Sequence, residues 1–121
     1  MKSYKDLDIY TLSLSLFYKT HTLSLKLSNY EKYELGSQLR RSSGSVVSNI
    51  VEGYGRKQYK ADFIKFLTYS HASNIETTCH FERIEFLYLD LANVLKDEYD
   101  KLGAKIFSFI RYVKSNWNKF D

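Results

Sequence analysis

The sequence predicts an all-α chain folded as an antiparallel up-down four-helix bundle that assembles into a homo-oligomer, and three observations carry that expectation. Proline is absent from all 121 residues, which permits long uninterrupted helices. Apolar residues recur at i, i+3, i+4 and i+7 in four stretches, and no stretch alternates with the period of two that a strand needs. The connections between stretches are short, the condition under which successive helices pack antiparallel. One domain, 1–121, is the natural unit for this length. Its 44% apolar and 17% aromatic content is enough to fill a core.

The first helix is expected over about 4–27, from Ile9, Leu12, Leu16, Leu23 and Leu27 on one face. A second stripe of Tyr10, Leu14, Phe17, His21 and Leu25 lies about 120° away at roughly 100° per residue. That breadth fits either a wide inner face or a face covered by another subunit. Ser28 and Asn29 break the pattern, and Glu31 or Glu34 suits the first turn of a second helix over about 33–54. Its stripe is Leu35, Leu39, Ser43, Val46, Ile50 and Gly53, and "GYGRKQ" ends it because glycine weakens helices and readily takes positive φ. Ser42, Ser43, Gly44 and Ser45 remove bulk where a neighbouring helix passes close. The third helix, about 60–90, is marked by Phe63, Phe66, Leu67, Ser70, Ser73, Thr77, Phe81, Ile84, Tyr88 and Leu91. The pattern loses phase between Asp90 and Leu95, so a turn is expected there. Asp97, Glu98 and Asp100 then suit the start of a fourth helix over about 96–118, with Lys114 and Lys119 near its end. Its stripe is Tyr99, Leu102, Ile106, Phe109, Ile110, Val113 and Trp117.

The net charge of +4 is unevenly distributed. Residues 1–60 carry 10 Lys or Arg against 5 Asp or Glu, residues 61–100 carry 3 against 8, and residues 101–121 carry 5 against 1. Such segregation fits inter-helix pairing, a polyanion-binding face, or both. No apolar run approaches the roughly 20 residues of a membrane span, and the N-terminal segment lacks the apolar region of a signal peptide. A cytoplasmic protein without membrane contact is expected, and the single Cys79 excludes an internal disulfide.

No catalytic, cofactor or metal site is expected. "GYGR", Gly53 to Arg56, lacks the Lys-Ser/Thr pair and preceding strand of a phosphate loop, and it closes a helix where a phosphate loop opens one. Glu76 and His80, spaced i,i+4 with His71 and Cys79 nearby, make half a metal site, since bundle metal centres draw ligands from several helices. Cys79 in mid-helix reads as a small packed residue, and Glu82 and Glu85 flank Arg83 as ordinary polar-face residues. The stronger constellation is basic. Arg40, Arg56, Lys57 and Lys60 are the candidate nucleic-acid contacts: Arg40 and Arg56 fall toward one side at opposite ends of the second helix, and the lysines extend the basic end through the turn. Tyr54 and Tyr59 lie among them, placed either to stack on bases or to cap the core. Arg41, beside the inner stripe, is expected to pair with Glu52 or Glu76.

At "YELGSQLRRSSGSVVSNIVEGYGR", then "DFIKFL" and "SHASNIE", the chain resembles the four-helix bundle family encoded in intervening sequences of bacterial 23S ribosomal RNA genes. That broad family includes accessory proteins of diversity-generating retroelements. Gln38, Arg40, Arg41, Ser45, Asn49, Ile50, Glu52, Gly53, Gly55 and Arg56 carry the resemblance in the second helix, and Phe66, Leu67, Ser73 and Glu76 carry it in the third. Ser42 and Ser43 replace the usual alanines, Ser28 a common proline, Val51 an alanine and Ala72 a glycine, while Thr78 stands where a second glutamate is frequent. The resemblance implies a homopentamer with a basic outer surface and, through the retroelement members, association with a reverse transcriptase and nucleic acid. With it, Arg41, Asn49, Glu52 and Glu76 are expected as a structural polar network tying the second helix to the third or to a neighbouring subunit. The sequence thus predicts a non-enzymatic, homo-oligomeric bundle whose basic surface binds structured RNA or a nucleoprotein partner. The alternative is a protein-only scaffold or accessory subunit without direct nucleic-acid contact.

Overall fold

A computed structural model describes residues 2–88 and 93–117. Among these residues there is no strand, and four long helices form the body of the protein. Ser3 opens the chain with a capping box: its hydroxyl accepts from the Lys5 N–H at 3.1 Å, and the Asp6 carboxylate accepts from the Ser3 and Lys2 N–H groups. Those backbone donors hold the Asp6 carboxyl below its usual range. The box confines the first turn to a 3-10 segment, Tyr4–Asp6, and Leu7 is extended and buried. The first α-helix, α1 (Asp8–Ser24), therefore begins later than the expected residue 4. It also ends earlier, because the Lys26 and Leu27 N–H groups tighten onto the carbonyls three residues back and turn Leu27 into the core.

A short helix absent from the sequence reading follows, α2 (Asn29–Tyr33), capped by the Ser28 hydroxyl. Glu34, with φ −101° and ψ −91°, breaks it from α3 (Leu35–Gly55). After the Arg56–Tyr59 turn come α4 (Lys60–Leu87) and α5 (Asn93–Asn116). Of the turn expected over 90–95, residues 90–92 lie outside the described residues, as do the stripe position Leu91 and the terminal Lys119, and residues 93–95 are already helical in α5. Because α5 starts at Asn93, the acidic Asp97, Glu98 and Asp100 do not occupy its first turn, whereas Lys114 does lie in its last.

α3 packs on α1 and α4, and α5 on α4 and α1, which closes the four long helices around one core. Leu39, Val46, Ile50, Phe63, Leu67, Phe81, Ile84, Tyr99, Ile106 and Val113 are fully buried in it, each worth about 1.5–3 kcal/mol if apolar. Of the second stripe on α1, Tyr10, Leu14 and Phe17 are half-buried, and His21 and Leu25 are exposed. The small residues of α3 do what their size suggests. Thr77 Oγ1 donates to Ser42 Oγ at 2.8 Å, Ser73 Oγ to Ser45 Oγ at 3.0 Å, and Ser70 Oγ to the Val46 carbonyl at 2.7 Å. Gly53 closes this seam: a Cβ there would meet Phe66 Cβ at 3.2 Å and Phe63 Cδ1 at 3.3 Å. Close approach, and no positive φ, is what requires glycine. No described helix is long and apolar enough to cross a membrane.

Candidate nucleic-acid interface

The α3–α4 turn gathers three of the four predicted phosphate contacts. Gly53 lets Phe63 and Phe66 come against α3, and the Arg56, Lys57 and Tyr59 N–H groups then bond the Gly53, Tyr54 and Arg56 carbonyls in a tight turn. The side chains follow from that path. The Arg56 guanidinium lies 4.7 Å from the Phe66 ring centroid and pairs with Glu52 at 3.1 Å and Asp62 at 3.7 Å. Lys57 Nζ sits 4.3 Å from the Tyr54 ring centroid and donates to its hydroxyl at 2.9 Å. Lys60, the first residue of α4, makes no ion pair among the described residues. Tyr59 between them is 64% exposed, whereas Tyr54 is buried and packs edge-on against Phe63. The corner thus presents three cations and one free aromatic face, with two carboxylates beside Arg56.

Arg40 does not join this group. It is half-buried near the other end of α3, where Nη1 donates to Ser24 Oγ at 2.8 Å and Nη2 to the Lys32 carbonyl at 3.0 Å. A planar fork reaching two acceptors on different segments suits arginine, and it ties the end of α1 to α2 and α3.

The four residues expected as one polar network separate into three sets. Arg41 pairs across the helix seam with Glu76 at 2.9 Å, on the exposed surface and not in the interior. Asn49 bonds within α3 to the Ser45 carbonyl and hydroxyl, and reaches α4 only through Ser45 and Ser73. Glu52 pairs with Arg56 on its own helix. Glu76 also accepts from His80 Nε2 at 3.0 Å, and Arg83 Nη1 lies 3.3 Å from His80 Nδ1. An arginine can only donate, so in this contact Nδ1 is the acceptor and Nε2–H the group that faces Glu76, on a ring that is nearly all buried. Cys79, expected to be packed, is exposed. Among the described residues no three His, Cys, Asp or Glu side chains gather as metal ligands.

Two buried polar pairs were not foreseen. Thr20 Oγ1 and the Tyr99 hydroxyl are 2.8 Å apart, joining α1 to α5, and burial pushes the Tyr99 phenol up to about 12 although the Thr20 and Ser43 hydroxyls act to lower it. Asn74 Nδ2 donates to the Tyr99 carbonyl at 2.8 Å, directly over Gly103. A polar residue at an inner stripe position is the sequence signal for both, and Asn74 is masked by Ser73 beside it.

Comparison with protein-family models matches residues 5–113 to the family described as 23S rRNA-intervening sequence protein. No curated protein matches the chain.

Proposed function

The chain belongs to the 23S rRNA-intervening sequence protein family, and from that premise we propose a non-enzymatic, homo-oligomeric bundle whose α3–α4 corner holds structured RNA or a nucleoprotein partner by its phosphates. The observation that carries this reading is the placement of Arg56, Lys57 and Lys60 on one turn beside the exposed Tyr59 ring. Cations on a rigid corner can track phosphates, and a free aromatic face can stack on an unpaired base. The mechanism is electrostatic attachment without sequence readout.

The antiparallel up-down topology belongs to the same reading. It is supported by contact order: partners on α4 fall from Thr77 through Ser73 to Ser70 as α3 runs from Ser42 through Ser45 to Val46. Between α1 and α5, Asp8 meets Lys105 and Thr20 meets Tyr99 in the same descending sense. The homo-oligomer, a pentamer by family resemblance, is supported by large apolar side chains outside the core, among them Phe86, Ile75 and Val94. The absence of catalysis is supported by the serine hydroxyls of α3, which bond helix carbonyls and neighbouring hydroxyls where an activated nucleophile would need a base.

A second reading, a protein-only accessory subunit such as that of a reverse transcriptase, is favoured by the two carboxylates that already neutralise Arg56. Binding of a labelled structured RNA across a salt series separates the two. Three phosphate contacts per protomer give a slope of about −2.1 to −2.7 in log affinity against log salt, roughly a 20- to 40-fold loss between about 50 and 200 mM. Replacing Arg56, Lys57 and Lys60 together by Gln removes that slope in a folded protein of unchanged mass. Equal RNA affinity in the triple variant refutes the phosphate reading and leaves the protein-only one.

A further inference from the structure

Two exposed surfaces of the chain are complementary in charge and chemistry. The first is a groove where α2 and the start of α3 face the end of α4, lined by Tyr30, Glu34, Leu35, Glu82, Phe86 and Leu87 among others. Phe86 is 83% exposed and Tyr30 73%, far outside what a core needs. Glu31 in the same wall accepts the Tyr88 hydroxyl at 2.8 Å, which fixes α2 against the end of α4. Among the described residues Glu34 makes no ion pair, and Glu82 has only Lys96 at 3.9 Å. The one cation on the lining, Arg83, is turned to His80. The groove is therefore apolar on its floor and negative on its rim.

The second surface is the outer face of α5. Phe107, Arg111 and Lys114 follow at i, i+4 and i+7, so they form one stripe along the helix. Phe107 is 52% exposed, both cations are exposed, and neither cation has an ion pair among the described residues. An aromatic followed by two positive charges on one helical stripe is what an apolar groove with a carboxylate rim accepts.

We propose that the occupant of the α2–α3–α4 groove is α5 of a second copy of this chain, with Phe107 among Leu35, Phe86 and Leu87, and with Arg111 and Lys114 on Glu34 and Glu82. The proposal rests on the homo-oligomer reading above and gives it a geometry. Because the two surfaces differ, the contact is heterologous: each copy offers its groove to one neighbour and its α5 to another, and a rotation that closes makes a ring. RNA attachment at the Arg56 corner uses neither surface.

Charge reversal tests this on the full chain, read by native mass at matched concentration with circular dichroism as the check of fold. All four positions are exposed, so reversal leaves the bundle helical. Glu34→Lys with Glu82→Lys is expected to reduce the oligomer to monomer, and Arg111→Glu with Lys114→Glu to do the same. All four changes in one chain swap the charges and restore the wild-type mass. Reversed pairs that keep the wild-type mass, or a four-fold variant that stays monomeric, overturn the proposal while leaving the oligomer itself intact. A monomeric wild type overturns both the oligomer and this contact.

Discussion

Gly103→Ala is the sharpest test of how α4 and α5 are held. A Cβ at Gly103 would lie 2.8 Å from Asn74 Nδ2, inside van der Waals contact, and that amide is buried and already bonded to the Tyr99 carbonyl at 2.8 Å. Two responses are open to the protein. Either the helices separate, at an overpacking cost of about 1–3 kcal/mol, or Asn74 turns away and leaves a buried polar group unpaired, at about 1–3 kcal/mol. Alanine returns about 1 kcal/mol of helix propensity. Only one of the two costs is incurred, so about 1–3 kcal/mol less the propensity gain leaves a net destabilisation of about 1 kcal/mol. For a urea m-value of about 1.5 kcal/mol/M, the midpoint falls by roughly 0.7 M at unchanged m. Protein concentration must be matched across variants, since under the proposed self-association stability depends on it. Gly55→Ala is the internal control: nothing lies within 4 Å of its Cβ position, so propensity alone acts and the midpoint holds or rises. A Gly103→Ala midpoint at or above wild type refutes the reasoning. So does an equal loss when Asn74 has first been replaced by Ala, because the clash is then gone and the two changes should couple.

Arg40→Gln breaks the charged bonds to Ser24 and to the Lys32 carbonyl, and should cost about 1.5–3 kcal/mol in urea unfolding while leaving the salt slope of RNA binding unchanged. A reduced slope in a protein of wild-type stability would instead return Arg40 to the phosphate-contacting set. Tyr99 titrates at about 12 in the fold against 10.0 for a free tyrosine. Its folded value is raised, so the contribution is fully present below pH 10 and is lost as pH rises toward 12. Base unfolding should therefore set in across that window, and Tyr99→Phe should flatten it; an identical alkaline limb in the variant assigns the loss to other groups.

The inner faces were legible in the sequence because size and period suffice to define them. Leu39, Ser43, Val46, Ile50 and Gly53 fall on the buried side of α3, and Tyr99, Leu102, Ile106 and Val113 on that of α5, with Trp117 buried just past its end. Ends were less legible. Leu7 and Leu27 continue the apolar spacing of α1 but are delivered to the core by non-helical backbone, and only the Ser3 and Ser28 hydroxyls hint at this. The same period carries no information on side-chain partners. Arg40 and Arg56 are equally plausible phosphate contacts by sequence; what divides them is a serine 16 residues before Arg40 against a turn that leaves Arg56 on the surface. Cys79 was misplaced for a different reason: α4 has apolar residues around much of its circumference, including the exposed Ile75 and Phe86, so the weak amphipathicity does not say which way a small residue points.

The polar α3–α4 seam connects the fold to the candidate site through register. Ser42, Ser45 and the Val46 carbonyl each have one partner on α4, at Thr77, Ser73 and Ser70, and two of these rungs are buried. A shift of α4 by one helical turn would still bury apolar side chains against apolar ones, since apolar attraction is not directional. It would however separate the hydroxyls from their cross-helix partners: Thr77 and Ser42 keep the Ser73 and Leu39 carbonyls of their own helices, whereas the buried Ser70 hydroxyl loses the Val46 carbonyl, at about 1–3 kcal/mol. The same register sets Gly53 against Phe63 and Phe66, and so puts the Phe66 ring under Arg56 and Asp62 within 3.7 Å of it. Alanines at positions 42 and 43 would pack as closely but would leave Thr77 without its cross-helix partner. The hydroxyl-rich centre of α3 thus fixes where the basic corner stands, although no residue of that centre is part of the corner.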